Sequence, residues 1–168
     1  KGGTGDAKTG GNYAASLFMS EQAAKEGYTQ VLWLDALEGR YIEEVGAMNI
    51  CFVYGDKRIV TPELTGSILA GITRDSVLKL APTLGFEVSE QRLDINEVLA
   101  GIDSGDITEV FGCGTAAVIS PVGRLRFLGV DKTVNDMKAG PVAKRLFDEL
   151  TSIQYGKRDD PFGWVVPV

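Results

Sequence analysis

The chain contains no histidine, and that absence excludes more chemistry than any single motif adds. Ser-His-Asp and Cys-His triads, the HExxH zinc site and the iron triad of two histidines with a carboxylate all go with it. Acid–base work must then come from lysine, carboxylate, tyrosine or a cofactor. Cysteine is scarce: Cys51 and Cys113 are too few and too isolated for a disulfide scaffold or a zinc site, so a reducing, cytoplasmic setting is expected. A net charge of −6 without a concentrated basic patch disfavours nucleic acid and anionic membrane as partners. No apolar run reaches membrane-span length, and no signal-peptide pattern opens the chain.

What is present is an ordinary globular composition. Hydrophobic content is 44% and charged content 24% over 168 residues, enough for one domain with a sizeable core. Because Lys1 is not a methionine and a candidate reactive group lies at position 8, the chain reads as a piece of a longer polypeptide.

Asn12 is placed to cap a helix running to about Glu26, with Leu17, Phe18 and the alanines on a buried side and Gly27 ending it. Val31–Asp35 reads as a buried strand, and Asn49–Tyr54 as another, closed by a Gly55–Arg58 turn onto Ile59-Val60. Apolar residues have helical spacing from Ile72 to Leu84, with Pro82 disturbing the last turn and Gly85 closing it. Phe86-Glu87-Val88 alternates like a half-buried strand, and Asp94 to Glu97 has capping-box spacing. Val110–Val122 reads as strand, Gly-Thr turn and strand, and Gly140-Pro141 opens a helix to about Thr151. The apolar tail from Pro161 must lie against something. The sum is one α/β domain of mixed hairpins and helices, without repeats or linkers.

Several stretches carry chemistry only in combination. Lys8 sits in the glycine-rich run Gly5-Asp6-Ala7-Lys8-Thr9-Gly10-Gly11, five residues before Tyr13. Such permissive backbone allows close approach to a bound group, and an amine there suits Schiff-base chemistry if its surroundings lower its pKa. A solvated turn fits the same residues. Of the adjacent Glu43 and Glu44, strand alternation sends one inward, where it needs a cation, and one to solvent. Gly71-Ile72-Thr73-Arg74 starts a helix whose free amides and dipole make a phosphate seat, or simply an ordinary capped helix. Gly112–Ala116 offers an anion nest or a tight turn. An amine, a carboxylate, a tyrosine and two anion cradles together suit pyridoxal 5′-phosphate.

The segments GDAKTGGNYAAS, YIEEVGAMNI, GSILAGITRDS, FGCGTAAVISPV and DPFGWVVPV occur in this order along the whole chain. They resemble the large domain of branched-chain amino acid aminotransferases, the fold-type IV pyridoxal phosphate enzymes. The resemblance implies an α/β mixed-sheet pseudo-barrel with flanking helices, covering residues 1–168 as a single C-terminal large domain. It implies that Lys8 is the Schiff-base lysine and proton shuttle, that Tyr13 hydrogen-bonds the cofactor's phenolic oxygen, and that Glu44 is the pyridine-nitrogen partner. Ile72, Thr73 and Thr115 match phosphate contacts, and Thr115 and Ala116 lie on the turn that meets the substrate carboxylate. The implied reaction moves the amino group of leucine, isoleucine or valine to 2-oxoglutarate, with a homodimer as the working unit.

Two departures follow from the same resemblance. The family's small N-terminal domain, which supplies a phosphate-binding arginine and contacts the large domain, does not precede the lysine loop in this sequence, so these residues alone are expected to be weakly active or inactive. The positions of a Cys-x-x-Cys found in some animal members hold Ala117 and Ser120, so that thiol switch is not expected. A D-amino-acid transaminase or an aminodeoxychorismate lyase of the same fold, or a folded non-catalytic scaffold, are the alternatives. The Glu-Val-Gly-x-Met-Asn stretch and the PFGWVVPV tail favour the branched-chain enzyme.

Overall fold

A computed structural model describes residues 2–166. Its centre is β3 (Met48–Tyr54), whose unbroken apolar run is what a strand covered on both faces requires. Ile50, Cys51, Phe52 and Val53 are all fully buried. Alternation sends Cys51 and Val53 to one face and Ile50 and Phe52 to the other, so two apolar clusters form back to back.

The sheet forks at β3. On one side, β2 (Ile42–Val45) pairs antiparallel with its first residues and β4 (Arg58–Pro62) with its last. On the other side runs β6 (Ile107–Gly114), followed by β7 (Val118–Pro121). Beyond β2 lies β1 (Leu32–Leu34), half-buried rather than buried, and beyond β4 lies β5 (Glu87–Gln91), parallel to it. One parallel pair in an otherwise antiparallel sheet makes it mixed, as expected. A hairpin absent from the sequence reading, β8 (Arg124–Phe127) with β9 (Val130–Thr133), forms a separate two-stranded sheet.

The parallel pair needs a crossover, supplied by α2 (Ile72–Thr83) with Val77, Leu80 and Ala81 buried, Pro82 in its last turn and Gly85 at φ +89° just beyond. The helix therefore begins beside the carboxyl ends of β4 and β5. α4 (Pro141–Gln154) lays Val142, Ala143, Leu146, Leu150 and Ile153 on the same face, where Phe162 and Trp164 stack with ring centroids 4.2 Å apart. Phe162 and Trp164 of the tail thus find support, whereas Val165 and Val166 are exposed; Pro167 and Val168 lie outside the described residues. α3 (Ile95–Ser104) covers the opposite face. Asp94 caps it by accepting from Asn96 N at 2.8 Å, not from Glu97 N, so among the described residues it is a simple N-cap and the expected capping box does not form. The other oxygen of Asp94 pairs with Arg40.

The first helix departs most from expectation. α1 runs Gly10–Lys25 with Thr9 at its N-cap, earlier than an Asn12 cap allows. Asn12 instead donates to the carbonyls of Thr4 and Ala7 at 2.7 and 3.0 Å, folding the preceding loop onto the helix. Nothing on α1 is buried: Leu17 is 63% and Phe18 66% exposed, so the expected buried side is the outer side. The side toward the sheet carries Asn12, Ser16 and Ser20, a polar stripe at helical spacing.

Candidate active site

The polar stripe of α1 faces a cavity of about 390 Å³. Tyr13, Ser16, Trp33, Glu43, Glu44 and Ser67 are among its walls. The two-residue turn Gly46-Ala47 between β2 and β3 closes one end; Gly46 has φ +59°, and its carbonyl takes the Trp33 Nε1 proton at 2.9 Å. Three close approaches gather the remaining segments around this space. A Cβ on Gly5 would collide with the Ser67 carbonyl, so the lysine loop is pressed against the loop before α2. A Cβ on Gly71 would collide with Asn49 Oδ1, so the α2 start leans on β3. A Cβ on Gly114 would lie 3.9 Å from the Ala47 carbonyl, bringing the β6–β7 turn to the same end.

Glu44 is the electrostatic centre. Its Oε1 accepts from Leu69 N at 3.2 Å and from Asn49 Nδ2 at 3.4 Å, and Asn49 also donates to Leu69 O at 2.8 Å. Among the described residues no cation pairs with it. Burial pushes its carboxyl up to about 7, the Leu69 amide opposes this, and the Glu43 charge adds to it. Glu43 is not turned to solvent as alternation predicts. It is half-buried, lines the cavity and accepts from Ser67 Oγ. One step on β1, from Trp33 to Leu34, spans two on β2, from Glu44 to Ile42, so Glu43 sits in a bulge that breaks strict alternation.

Lys8 is exposed and is not itself a wall residue; its neighbours Ala7, Asn12 and Tyr13 are. Ile72 is 78% exposed at the first turn of α2, and Thr73 is half-buried. Among the described residues, the amides of Ile72, Thr73 and Arg74 have no partner, the first bond of the helix being Asp75 N to Gly71 O at 3.0 Å. Thr115 and Ala116 are exposed on the β6–β7 turn, which ends in Val118 at φ +56°. A β-branched residue in the left-handed region is strained, and this turn is held so by the hairpin it closes.

Sequence reasoning misses two buried groups. Arg74, 4% exposed, reads only as part of the helix start, and Glu109, 4% exposed, sits unannounced on β6. The alternation of β6 does not single out Glu109, because both faces of that strand are apolar. A larger cavity, about 650 Å³, lies between the end of α1 and the β7–β8 region. Its charged and phenolic wall groups are paired: Tyr28 bonds Asp131, and Arg126 pairs with Glu26 at 3.6 Å. The unpaired carboxyl belongs to the smaller cavity.

This arrangement has relatives. The family model of class IV amino-transferases matches residues 3–125, and the chain belongs to that family. A Mycobacterium tuberculosis branched-chain-amino-acid aminotransferase is 55% identical over 167 residues, covering 98% of this chain and 45% of the relative. A Staphylococcus epidermidis protein named "Probable branched-chain-amino-acid aminotransferase" is 54% identical over 168 residues, covering 100% and 47%. The solved branched-chain amino acid aminotransferase of Escherichia coli superposes with a TM-score of 0.80 at 37% identity, covering 95% of this chain and 49% of that one. The fold is that of the type IV enzymes, and the chain spans about half the length of the relatives it matches.

Proposed function

We propose that these residues are the large, cofactor-holding domain of a pyridoxal-phosphate aminotransferase acting on leucine, isoleucine or valine with 2-oxoglutarate. The observation that carries it is Glu44: a half-buried carboxyl without a cation among the described residues, whose free energy improves when a positive group arrives. A protonated pyridine nitrogen is such a group. The open cavity beside Glu44 and the three free amides of α2 fit the remainder of that cofactor.

When bound, pyridoxal phosphate supplies an aldehyde for the incoming amine and a ring that takes up the electrons freed at Cα. The chain's own residues do the rest. Glu44 would keep a proton on the ring nitrogen. The Ile72 and Thr73 amides and the Thr115 hydroxyl would hold phosphate, and the Tyr13 hydroxyl would donate to the phenolic oxygen. Lys8 Nζ would move the Cα proton, a role its exposed position beside the cavity suits once a partner surface closes over it. Thr115 and Ala116 offer backbone amides to the substrate carboxylate.

The closing surface belongs to a further domain preceding Lys8 in the complete protein, and to a second copy in a cytoplasmic homodimer. The shortfall against the relatives' length and the exposed apolar residues of α1 support this part of the reading. The described residues contain no helix long and apolar enough to cross a membrane. Borohydride reduction of the complete protein with pyridoxal phosphate, followed by peptide mapping, is expected to label Lys8. A label on another lysine overturns the assignment, and turnover of D-alanine in preference to L-leucine overturns the substrate class.

A further inference from the structure

α2 starts at the carboxyl ends of two parallel strands, the place where helix amides and strand ends together form ligand crevices. Arg74, in its first turn, is almost fully buried. Its Nη2 donates to the Pro62 carbonyl at 3.0 Å and pairs with the Glu90 carboxylate, reaching the last residue of β4 and the next-to-last of β5. Its Nε has no hydrogen-bond partner, the one such buried side-chain atom among the described residues. Glu90 is 46% exposed, so water screens the carboxylate far more than the guanidinium. A buried cation thus belongs to the first turn of a helix whose first three amides, its own included, are free, and its charge is only partly offset.

A guanidinium kept buried with one donor unmade is poor stabilisation, since an unsatisfied buried donor costs free energy that an apolar side chain would avoid. The compensation lies in what the charge does for the helix start. We propose that Arg74 is a positioning residue for the anion seat of α2. Its fork pins the first turn to the ends of β4 and β5, and its charge raises the attraction of the Ile72 and Thr73 amides for a phosphate dianion. This deepens the functional reading above and rests on α2 being the phosphate seat.

The test uses the complete protein and two probes, pyridoxal phosphate and phosphate-free pyridoxal, each titrated by absorbance. Arg74→Gln is expected to weaken pyridoxal phosphate about tenfold or more, as loss of one charge near a dianion in a half-screened site predicts, and to leave pyridoxal within about twofold. Arg74→Lys, which keeps the charge and loses the fork, falls between. Glu90→Gln, which removes the offsetting charge, tightens pyridoxal phosphate about threefold and leaves pyridoxal unchanged. Equal weakening of both probes by Arg74→Gln, or no weakening of either, overturns the proposal. If Arg74→Gln does not fold, Glu90→Gln decides alone, and no selective gain for the phosphorylated probe overturns it. A wild-type protein binding both probes equally would instead defeat the phosphate seat itself.

Discussion

At the scale of single residues, Glu44 has the most to report. Its folded pKa of about 7 stands above the ordinary 4.5 because burial penalises the anion. The folded state therefore holds a proton that the unfolded chain has released between pH 4.5 and about 7. The favourable contribution is complete below 4.5 and is lost as pH rises through about 7. Glu44→Gln removes that dependence, so the denaturation midpoint of the variant should gain on wild type as pH rises from about 5 to about 8. Glu43→Gln should make the wild-type fall smaller and end it at lower pH, because it removes the like charge that helps keep Glu44 protonated. A pH-independent gap between wild type and Glu44→Gln would mean that Glu44 is ionised already at the acid end of that range. In the complete, cofactor-loaded protein the same substitution should slow turnover roughly a hundredfold or more, the effect of about 3 kcal/mol lost from a buried ion pair.

At the scale of elements, the ends of helices are legible in the sequence and their partners are not. Pro141 at the first position of α4 announces that helix, and Gly27 and Gly85, at φ +83° and +89°, mark where α1 and α2 stop. What caps α4 is Glu109, whose two oxygens accept from Val142 N and Ala143 N at 2.9 Å each, from 33 and 34 residues away. A cap so distant leaves no local spacing to read. It also fixes Gly140, where a Cβ would collide with the Glu109 carboxylate. Glu109→Leu fits the apolar surroundings but strands two buried amides, at about 1–3 kcal/mol each. The expected loss in chemical denaturation is about 2–6 kcal/mol, with Glu109→Gln losing roughly half. A neutral Glu109→Leu would mean that the α4 start is wetted and needs no carboxylate. The site divides the same way. Tyr13, Glu44, Asn12 and Glu43 all line the cavity; Asn12 does so instead of capping α1, and Glu43 instead of facing solvent, because Thr4, Ala7 and Ser67 outcompete local cap and alternation rules.

At the scale of the whole molecule, the question is which apolar residues the chain can bury by itself. Both clusters around β3 are complete, and the stacked pair of Phe162 and Trp164 closes one of them. α1 remains outside both. Its apolar residues are readable in the sequence, but they are spread around the helix and mark no single apolar side, so the pattern does not say what covers them. Leu17 and Phe18, 63% and 66% exposed, line neither cavity, while Met19, 46% exposed, borders the larger one and Asn12, Ser16 and Ser20 line the smaller. Covering such side chains is worth about 1.5–3 kcal/mol each, enough to drive association of chains that meet face to face. The 168-residue chain should therefore unfold cooperatively yet self-associate at micromolar concentration. Leu17→Ser with Phe18→Ser should yield a monomer by sedimentation while changing stability by less than about 0.5 kcal/mol, the range for exposed positions. A loss of about 2 kcal/mol or more would show that the α1 face packs within the chain. If a further domain or second copy covers this helix, as proposed above, the same pair of substitutions in the complete protein should weaken that contact and pyridoxal phosphate binding together, while leaving the stability of these 168 residues intact.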